Sequence, residues 1–141
     1  MCTFSLAGHR FGVDVVDVQE VVRARPLTRV PLARPDVAGL LNLRGRILTV
    51  LDLRRRMALP ERPDGTPPMN VVVRAAQGPV SLLVDAIGDV VEVDRATFEL
   101  PPDTLTGVAR DVIVGAYKLD GYLLLELDID RVLAGAAASA S

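Results

Sequence analysis

Residues 39–54 (GLLNLRGRILTVLDLR) constrain the fold more than any other stretch, because two apolar arms meet at one glycine. Leu, Ile and Val dominate both arms, which predicts two β-strands joined at Gly45 and buried on both faces. Asn42, Arg44 and Asp52 interrupt this apolar pattern. A buried polar side chain needs a partner. Each of the three is therefore either a satisfied structural group or part of a recognition surface.

Short apolar runs predict strands along most of the chain. The runs with this pattern are residues 3–16, 71–73, 80–85, 107–117 and 121–127. Gly88 and Asp89 are expected to form a kink or a turn. A short helix is predicted over residues 53–59, where Pro60 ends it, and a second short helix is expected to end near Leu133.

Arg44 is the foremost candidate for binding, because it flanks a turn and its guanidinium can make bidentate contacts to a carboxylate. Glu20 is either the partner of Arg44 or a fellow contact residue. Residues 16–25 (VDVQEVVRAR) predict one helical turn followed by a strand. Val18 and Glu20 are then expected to point outward, and Val21 and Val22 inward.

The many short strands, frequent turn signals and few helices predict small barrels or a sandwich. Residues 60–68 (PERPDGTPP) hold four prolines and no large apolar residue, so an exposed loop is expected there. This loop is expected to divide the domain, residues 1–134, into two lobes that would each suit a five-stranded barrel. Residues 135–141 (GAAASAS) are expected to be a flexible tail.

Composition narrows the classes of function. The net charge is −2 and aromatic residues make up 4% of the chain, which gives no footprint for nucleic-acid binding. The single thiol, Cys2, allows neither a disulfide within the chain nor a metal cage. Residues 1–15 lack the apolar core of a signal peptide, and no apolar run approaches the roughly 18 residues of a membrane span. A cytoplasmic protein without direct membrane insertion is therefore expected.

The chain shows no nucleophile elbow, phosphate-binding loop or dinucleotide motif, so neither catalysis nor a cofactor is expected. A metal-dependent enzyme would have to use the carboxylate pairs Asp128 with Asp130 or Asp85 with Asp89. For the first pair a helix cap and a solvated acid are favoured. Residues 54–56 are three arginines. They form either a basic patch for an anionic partner or a solvated helix face, and the helix face is favoured.

Several motifs in order resemble the CheW-like chemotaxis adaptors, along nearly the whole chain. Residues 39–45 (GLLNLRG) and 52–54 (DLR) resemble the family's G-x-x-N-L-R-G and D-L-R motifs. Residues 18–21 (VQEV) resemble its V-Q-E motif, and residues 84–90 (VDAIGDV) its V-D-x-V-x-D-V motif. Residues 124–133 (LLELDIDRVL) resemble its closing strand and helix.

The resemblance implies a mainly β fold of two intertwined five-stranded SH3-like barrels with short helices. It also implies a non-catalytic adaptor that couples the cytoplasmic tip of a methyl-accepting chemoreceptor to the regulatory domain of a CheA-type histidine kinase. Such an adaptor would be cytoplasmic and recruited to membrane receptor arrays. A CheW-like module in a non-chemotactic signalling array stays open as the alternative.

Carried over position by position, the resemblance implies receptor contacts at Val18, Glu20, Arg44, Val71, Ile87 and Val90. Glu20 and Arg44 would fix the register at the polar rim of an apolar groove between the barrels. Plain core packing is the alternative for the apolar members of this set. The kinase-binding surface is not placed by residue.

Overall fold

The computed structural model describes residues 1–63, 65, 67–76, 78–102 and 107–139. Strands dominate these residues, as the apolar runs predict. The strands are β1 (Cys2–Leu6), β2 (His9–Val13), β3 (Val18–Arg23), β4 (Val37–Leu43), β5 (Arg46–Asp52), β6 (Met69–Val73), β7 (Val80–Val84), β8 (Ala86–Val90), β9 (Ile113–Leu119) and β10 (Tyr122–Leu127). The helices are α1 (Leu53–Arg56), α2 (Gly107–Val112) and α3 (Ile129–Ser139).

These strands form two five-stranded sheets, ordered β8-β1-β2-β10-β9 (the first barrel) and β3-β6-β7-β5-β4 (the second barrel). Each barrel contains one parallel pair, β2 with β10 in the first and β5 with β7 in the second. The first barrel therefore combines both ends of the chain, whereas the second uses the middle. The predicted fold, two intertwined five-stranded SH3-like barrels, is confirmed.

The predicted division of the chain at residues 60–68 is wrong. This loop joins α1 to β6, and β5 and β6 both belong to the second barrel. The prolines follow α1, and the strands before and after the loop belong to one sheet. Parallel strands need a long crossover connection, and the loop is part of the crossover from β5 to β7. The chain passes between the barrels instead at the β2–β3 and β7–β8 connections.

The central hairpin consists of β4 and β5, joined at Arg44 and Gly45 as predicted. Burial on both faces is wrong for much of it, because buried positions alternate with more exposed ones, so that one face of this antiparallel pair meets solvent. Asn42 is exposed and Ile47 is 61% exposed. Only the end of β5, residues 50–52, is continuously buried.

Two local predictions around β3 and β8 are also wrong. Val21, expected to point inward, is 37% exposed, whereas Val22 packs inward as predicted, because successive strand residues point to opposite faces. Gly88 and Asp89 lie inside β8, and the bend falls at Asp85.

The two later helices differ from the sequence pattern. Residues 107–112, expected as strand, form α2, since less than two helical turns are too short to show a helical period. Helix α3 continues past Leu133 to Ser139 and so includes residues 135–139, which the sequence predicts as a flexible tail. Alanine has the highest helix propensity, which favours this extension. Residues 140 and 141 lie outside the described residues.

The larger hydrophobic cluster is shared by both barrels. It joins Phe4 of β1 and Leu125 of β10 to Leu82 of β7 and to Val71 and Val73 of β6. A smaller cluster fills the second barrel alone and includes Val72, the residue between them. Strand β6 is therefore buried on both faces. In the described part of the chain, no helix is long and apolar enough to cross a membrane.

Replacing Pro63 or Pro67 with Ala is expected to change the free energy of unfolding by less than about 0.5 kcal/mol, because both prolines are exposed. Arg62, in the same loop, is only 14% exposed in its side chain and donates from Nε to Asp85 at 3.2 Å. Arg62→Ala is expected to cost about 1–2 kcal/mol. Urea denaturation of the three variants checks the contrast, and a large loss in Pro63→Ala would contradict the loop assignment.

Candidate functional site

An ion pair between Glu20 and Arg44 forms the centre of the candidate site. Arg44 Nη1 donates to Glu20 Oε2 and Nη2 donates to Oε1, both at 2.9 Å. Glu20 lies on β3 and Arg44 in the β4–β5 turn, so the pair joins the two ends of the sheet order. This contact requires the sheet to curl into a barrel. The structure therefore shows Glu20 as the partner of Arg44, which is one of the two alternatives considered for it.

The turn holds Arg44 in a conformation that arginine rarely adopts. Arg44 has a φ of 53° and Gly45 a φ of 84°, the two positive values of a type I′ turn. This turn favours Asn or Gly at both central positions, and a left-handed conformation costs free energy at any other residue. Asn42 Oδ1 accepts the Gly45 N–H at 3.0 Å, which supports the turn and satisfies the polar group of Asn42.

The electrostatics of the pair favour the charged state of both groups. The hydrogen bond from Arg44, followed by its charge, lowers the pKa of Glu20, and Arg25 adds to this effect. The bond to Glu20 in turn raises the pKa of Arg44. The Arg44 side chain is nonetheless 71% exposed, against 23% for Glu20. One face of the guanidinium is therefore available to a partner while the pair is intact.

The β3 strand is irregular next to this pair. Val18 lies opposite Val73 and Glu20 opposite Val72, so Gln19 is an extra residue and forms a β-bulge. Val18 is half-buried against the larger core, whereas Gln19 is exposed. A pocket of about 90 Å³ lies beside the bulge, lined by Gln19, Glu20, Leu43, Arg44, Arg46, Leu48 and Pro79. The bulge and the turn together give this edge of the second barrel an uneven, polar surface.

The remaining candidate residues lie in two different environments. Ile87 and Val90 are on β8, an outer strand of the first barrel, where Ile87 pairs with Phe4. Ile87 is half-buried and Val90 is 69% exposed. Val71 has no exposed surface and lies in the shared core, as the alternative of plain core packing predicts. A surface contact through Val71 is therefore wrong for this structure, because β6 is covered on both faces.

Asp52 is a structural residue. Its Oδ1 accepts the N–H groups of Arg54 and Arg55 at 3.0 and 3.4 Å, which caps the start of α1. Arg55 Nη1 also donates to the backbone oxygen of Pro35 at 3.1 Å. Arg56 donates from Nε to the backbone oxygen of Val132 at 2.9 Å, which holds α1 against α3.

Arg54 fits neither interpretation of the three arginines, a basic patch or a solvated helix face, because its side chain is only 9% exposed. Its Nε donates to Asp85 Oδ1 at 2.8 Å, its Nη2 pairs with Oδ2, and its Nη1 donates to the backbone oxygen of Pro60. The arginines are thus neither a basic patch nor simply a solvated helix face. They tie α1 to other parts of the chain.

Asp85 is the centre of a cluster that sequence reasoning missed, the Asp85 clasp, formed by Asp85, Arg54, Arg62 and the N–H of Ala7. Ala7 N donates to Asp85 Oδ2 at 2.9 Å from the β1–β2 turn of the first barrel. Both arginines belong to the second barrel's crossover. Burial alone would raise the pKa of Asp85, but hydrogen bonds from Arg54 and Ala7 and the charges of both arginines outweigh it and lower the pKa.

The carboxylates considered for a metal site have other partners or lie apart. Asp128 Oδ1 accepts the Arg131 N–H at 3.1 Å, the favoured helix-cap arrangement, and its Oδ2 lies 3.6 Å from Arg131 Nε. Asp85 is occupied by the clasp. Among the residues that the structure describes, no group of three or more His, Cys, Asp or Glu side chains is arranged to hold a metal ion.

Comparison with known proteins gives consistent results. A family model described as the CheW-like domain matches residues 1–137. The chemotaxis protein CheW of Bacillus subtilis is 30% identical over 136 residues, covering 94% of this chain and 85% of that protein. The chemotaxis protein CheW of Treponema pallidum is 26% identical over 136 residues, covering 94% and 80%. The crystal structure of the scaffolding protein TtCheW from Thermoanaerobacter tengcongensis superimposes with a TM-score of 0.84 and 29% identity, covering 94% and 85%.

The two-barrel fold and these relatives define a class, the non-catalytic scaffold proteins of chemotaxis. Within that class, the chain belongs to the CheW-like domain family. The predicted family, the adaptor function and the prediction that the chain is not an enzyme are confirmed by these comparisons.

Proposed function

We propose that this chain couples the cytoplasmic tip of a methyl-accepting chemoreceptor to the regulatory domain of a CheA-type histidine kinase. The names of its relatives, chemotaxis protein and scaffolding protein, support this role. The chain would act in the cytoplasm and reach membrane receptor arrays through protein contacts alone. The kinase would bind a surface separate from the receptor contacts, so that both partners are held at once.

The receptor surface in this proposal is centred on Arg44 and Glu20, with Val18 beside them. The observation that supports it is the bidentate ion pair with Glu20, which is formed by an arginine whose backbone has the left-handed conformation. An exposed ion pair contributes little to folding stability, whereas the left-handed conformation costs stability. Conformational strain of this kind concentrates at functional sites. Stability alone therefore does not account for an arginine at this turn position.

The apolar part of the receptor surface would come from Val18, Ile87 and Val90. Val90 is 69% exposed and can bury against an apolar side chain of a receptor helix. Val71 would support the surface only from within the core. In this arrangement the apolar side chains supply contact area, and the Arg44–Glu20 pair fixes the orientation of the partner.

Arg44→Glu is expected to weaken binding of a purified receptor tip fragment by about tenfold or more, because it places a carboxylate where the guanidinium stood, next to the carboxylate of Glu20. Arg44→Asn removes the charge and keeps a residue that the type I′ turn favours. It is expected to bind the receptor fragment more weakly than the wild type and to be no less stable. Titration calorimetry and thermal melts of both variants check these expectations.

The double variant Glu20→Arg/Arg44→Glu is the matched control, since it can rebuild the pair with reversed polarity. It is expected to fold like the wild type and still bind the receptor fragment poorly. Wild-type affinity in the double variant would show that the pair is purely structural. Unfolding of Arg44→Glu would show that Arg44 is a structural ion despite its 71% exposure.

A further inference from the structure

Strand β8 contains a β-bulge at its centre. Two of its residues, Gly88 and Asp89, lie opposite one residue of β1, Thr3. On either side of this point the two strands form single pairs, Ile87 with Phe4 and Val90 with Cys2. An extra residue in one strand changes which of its side chains share a face of the sheet.

The bulge places Ile87 and Val90 on the same face of the sheet. Residues three apart in a regular strand point to opposite faces, because successive side chains alternate. Here their partners Phe4 and Cys2 are two apart in β1, and both belong to the core that the barrels share. Ile87 packs against this core, whereas Val90 is 69% exposed. The two side chains therefore form one apolar surface at the border of the shared core.

The bulge of β3 has the same effect in the second barrel. Because Gln19 is the extra residue, Val18 and Val21 both lie opposite valines of β6 that belong to the shared core, and so they share one face. Val21 is 37% exposed. Each barrel thus presents, from an outer strand, two apolar residues three apart that only a bulge brings to one face. In β3 this surface adjoins Glu20, which belongs to the proposed receptor surface.

Gly88 is the residue that allows the bulge of β8 to close. A Cβ atom added at Gly88 would lie 2.5 Å from Thr3 Oγ1, which is closer than van der Waals contact allows. Thr3 is 2% exposed, and its hydroxyl donates to the backbone oxygen of Asp89. The hydroxyl can move away only by breaking this hydrogen bond, and a buried polar group without a partner is costly. Any side chain at position 88 therefore opposes the bulge.

We propose that Gly88 is a positioning residue for receptor binding: it holds Ile87 and Val90 on one face, where they contact apolar side chains of the receptor tip. This role rests on the proposed coupling to a chemoreceptor. Gly88 does not touch the receptor and acts through Val90. A bulge on an outer strand can also serve only to prevent strand pairing between copies. That purpose needs a distorted strand, but it does not need two apolar side chains on one face.

The test is titration calorimetry of a purified receptor tip fragment with the full chain and its variants. Gly88→Ala is expected to weaken receptor binding by about fivefold or more and to leave binding of the kinase regulatory domain unchanged. In Thr3→Ala/Gly88→Ala the clashing oxygen is gone, and the nearest remaining atoms of residue 3 lie 3.5 and 3.6 Å from the new Cβ. These are ordinary contact distances, so most of the receptor affinity is expected to return.

Two further variants separate positioning from a general loss of stability. In a Val90→Ala background, Gly88→Ala is expected to have no additional effect on receptor affinity, because Gly88 acts through Val90. Ile113→Ala opens a cavity in the same barrel on β9, at the other end of the sheet order. It is the matched control and is expected to melt at a lower temperature while binding the receptor fragment like the wild type.

Hydrogen exchange of the Val91 N–H reports the bulge without the receptor. This group donates to the backbone oxygen of Met1 at 2.9 Å, which requires β8 and β1 to keep their register beyond the bulge. Its exchange is expected to be faster in Gly88→Ala than in the wild type and to slow again in Thr3→Ala/Gly88→Ala.

The outcomes distinguish this role from the proposed function. A wild type that does not bind the receptor fragment would refute both. If the wild type binds, unchanged affinity in Gly88→Ala would overturn the positioning role alone, and so would equal loss of kinase binding. Loss of receptor binding in a folded Thr3→Ala/Gly88→Ala would also overturn it, even where Gly88→Ala does not fold. Self-association of Gly88→Ala with full receptor affinity would assign the bulge to protection of the sheet edge.

Discussion

Replacing Asp85 with Ala is expected to lower the free energy of unfolding by about 3–5 kcal/mol. The substitution leaves Arg54, whose side chain is 9% exposed, without its carboxylate partner. It also removes the acceptor for Arg62 Nε and for the N–H of Ala7. A buried charge that loses its partner is far more costly than the loss of an exposed pair.

Urea denaturation of Asp85→Ala measures this effect directly. Asp89→Ala is the matched control, because Asp89 is exposed, and it is expected to change stability by less than about 0.5 kcal/mol. Because the clasp joins the first barrel to the crossover of the second, both barrels are expected to unfold in one transition in the wild type. A loss of less than about 1 kcal/mol in Asp85→Ala would show that water replaces the clasp at little cost.

The clasp also predicts how stability depends on pH. The folded-state pKa of Asp85 lies below its ordinary value of 3.8. A lowered pKa means that the contribution of this carboxylate is present above the unfolded-state pKa and is lost as the pH falls through the folded-state pKa. The difference in stability between the wild type and Asp85→Asn is therefore expected to stay constant near neutral pH and to shrink below about pH 4.

Val71→Ala is expected to cost about 2 kcal/mol, because Val71 is fully buried in the core that both barrels share. Val90→Ala, on an exposed site of β8, is expected to change stability by less than about 0.5 kcal/mol and to weaken receptor binding instead. Denaturation and receptor titration of both variants separate core residues from contact residues. If Val71→Ala kept full stability and bound the receptor more weakly, Val71 would be a contact residue and not a core residue.

The strands and the central turn could be read from the sequence, because both signals are local. Alternating apolar residues identify β1 and β2, a continuous apolar run identifies β10, and Gly45 identifies the turn that it forms with Arg44. The pairing of the strands could not be read in this way. The contacts of β2 with β10 and of β5 with β7 join distant parts of the chain. The residues of one strand do not indicate which other strand it pairs with.

The candidate site was only partly predictable for the same reason. Arg44 is conspicuous because it interrupts an apolar stretch. Glu20 carries the opposite charge and could therefore be considered as its partner. Arg54 stands among three arginines that look alike in sequence, and only the fold brings it to Asp85, 31 residues away. Val71 resembles other strand valines, and its burial follows from the position of β6 between β3 and β7.

The simultaneous binding of receptor and kinase tests the central claim most directly. The wild-type chain would be mixed with a receptor tip fragment and the regulatory domain of the cognate kinase, and the species would be separated by size-exclusion chromatography with light scattering. A complex containing all three proteins is predicted, with Arg44→Glu losing the receptor fragment and keeping the kinase domain. Competition between receptor and kinase for one surface of the chain, or binding of neither, would contradict the account.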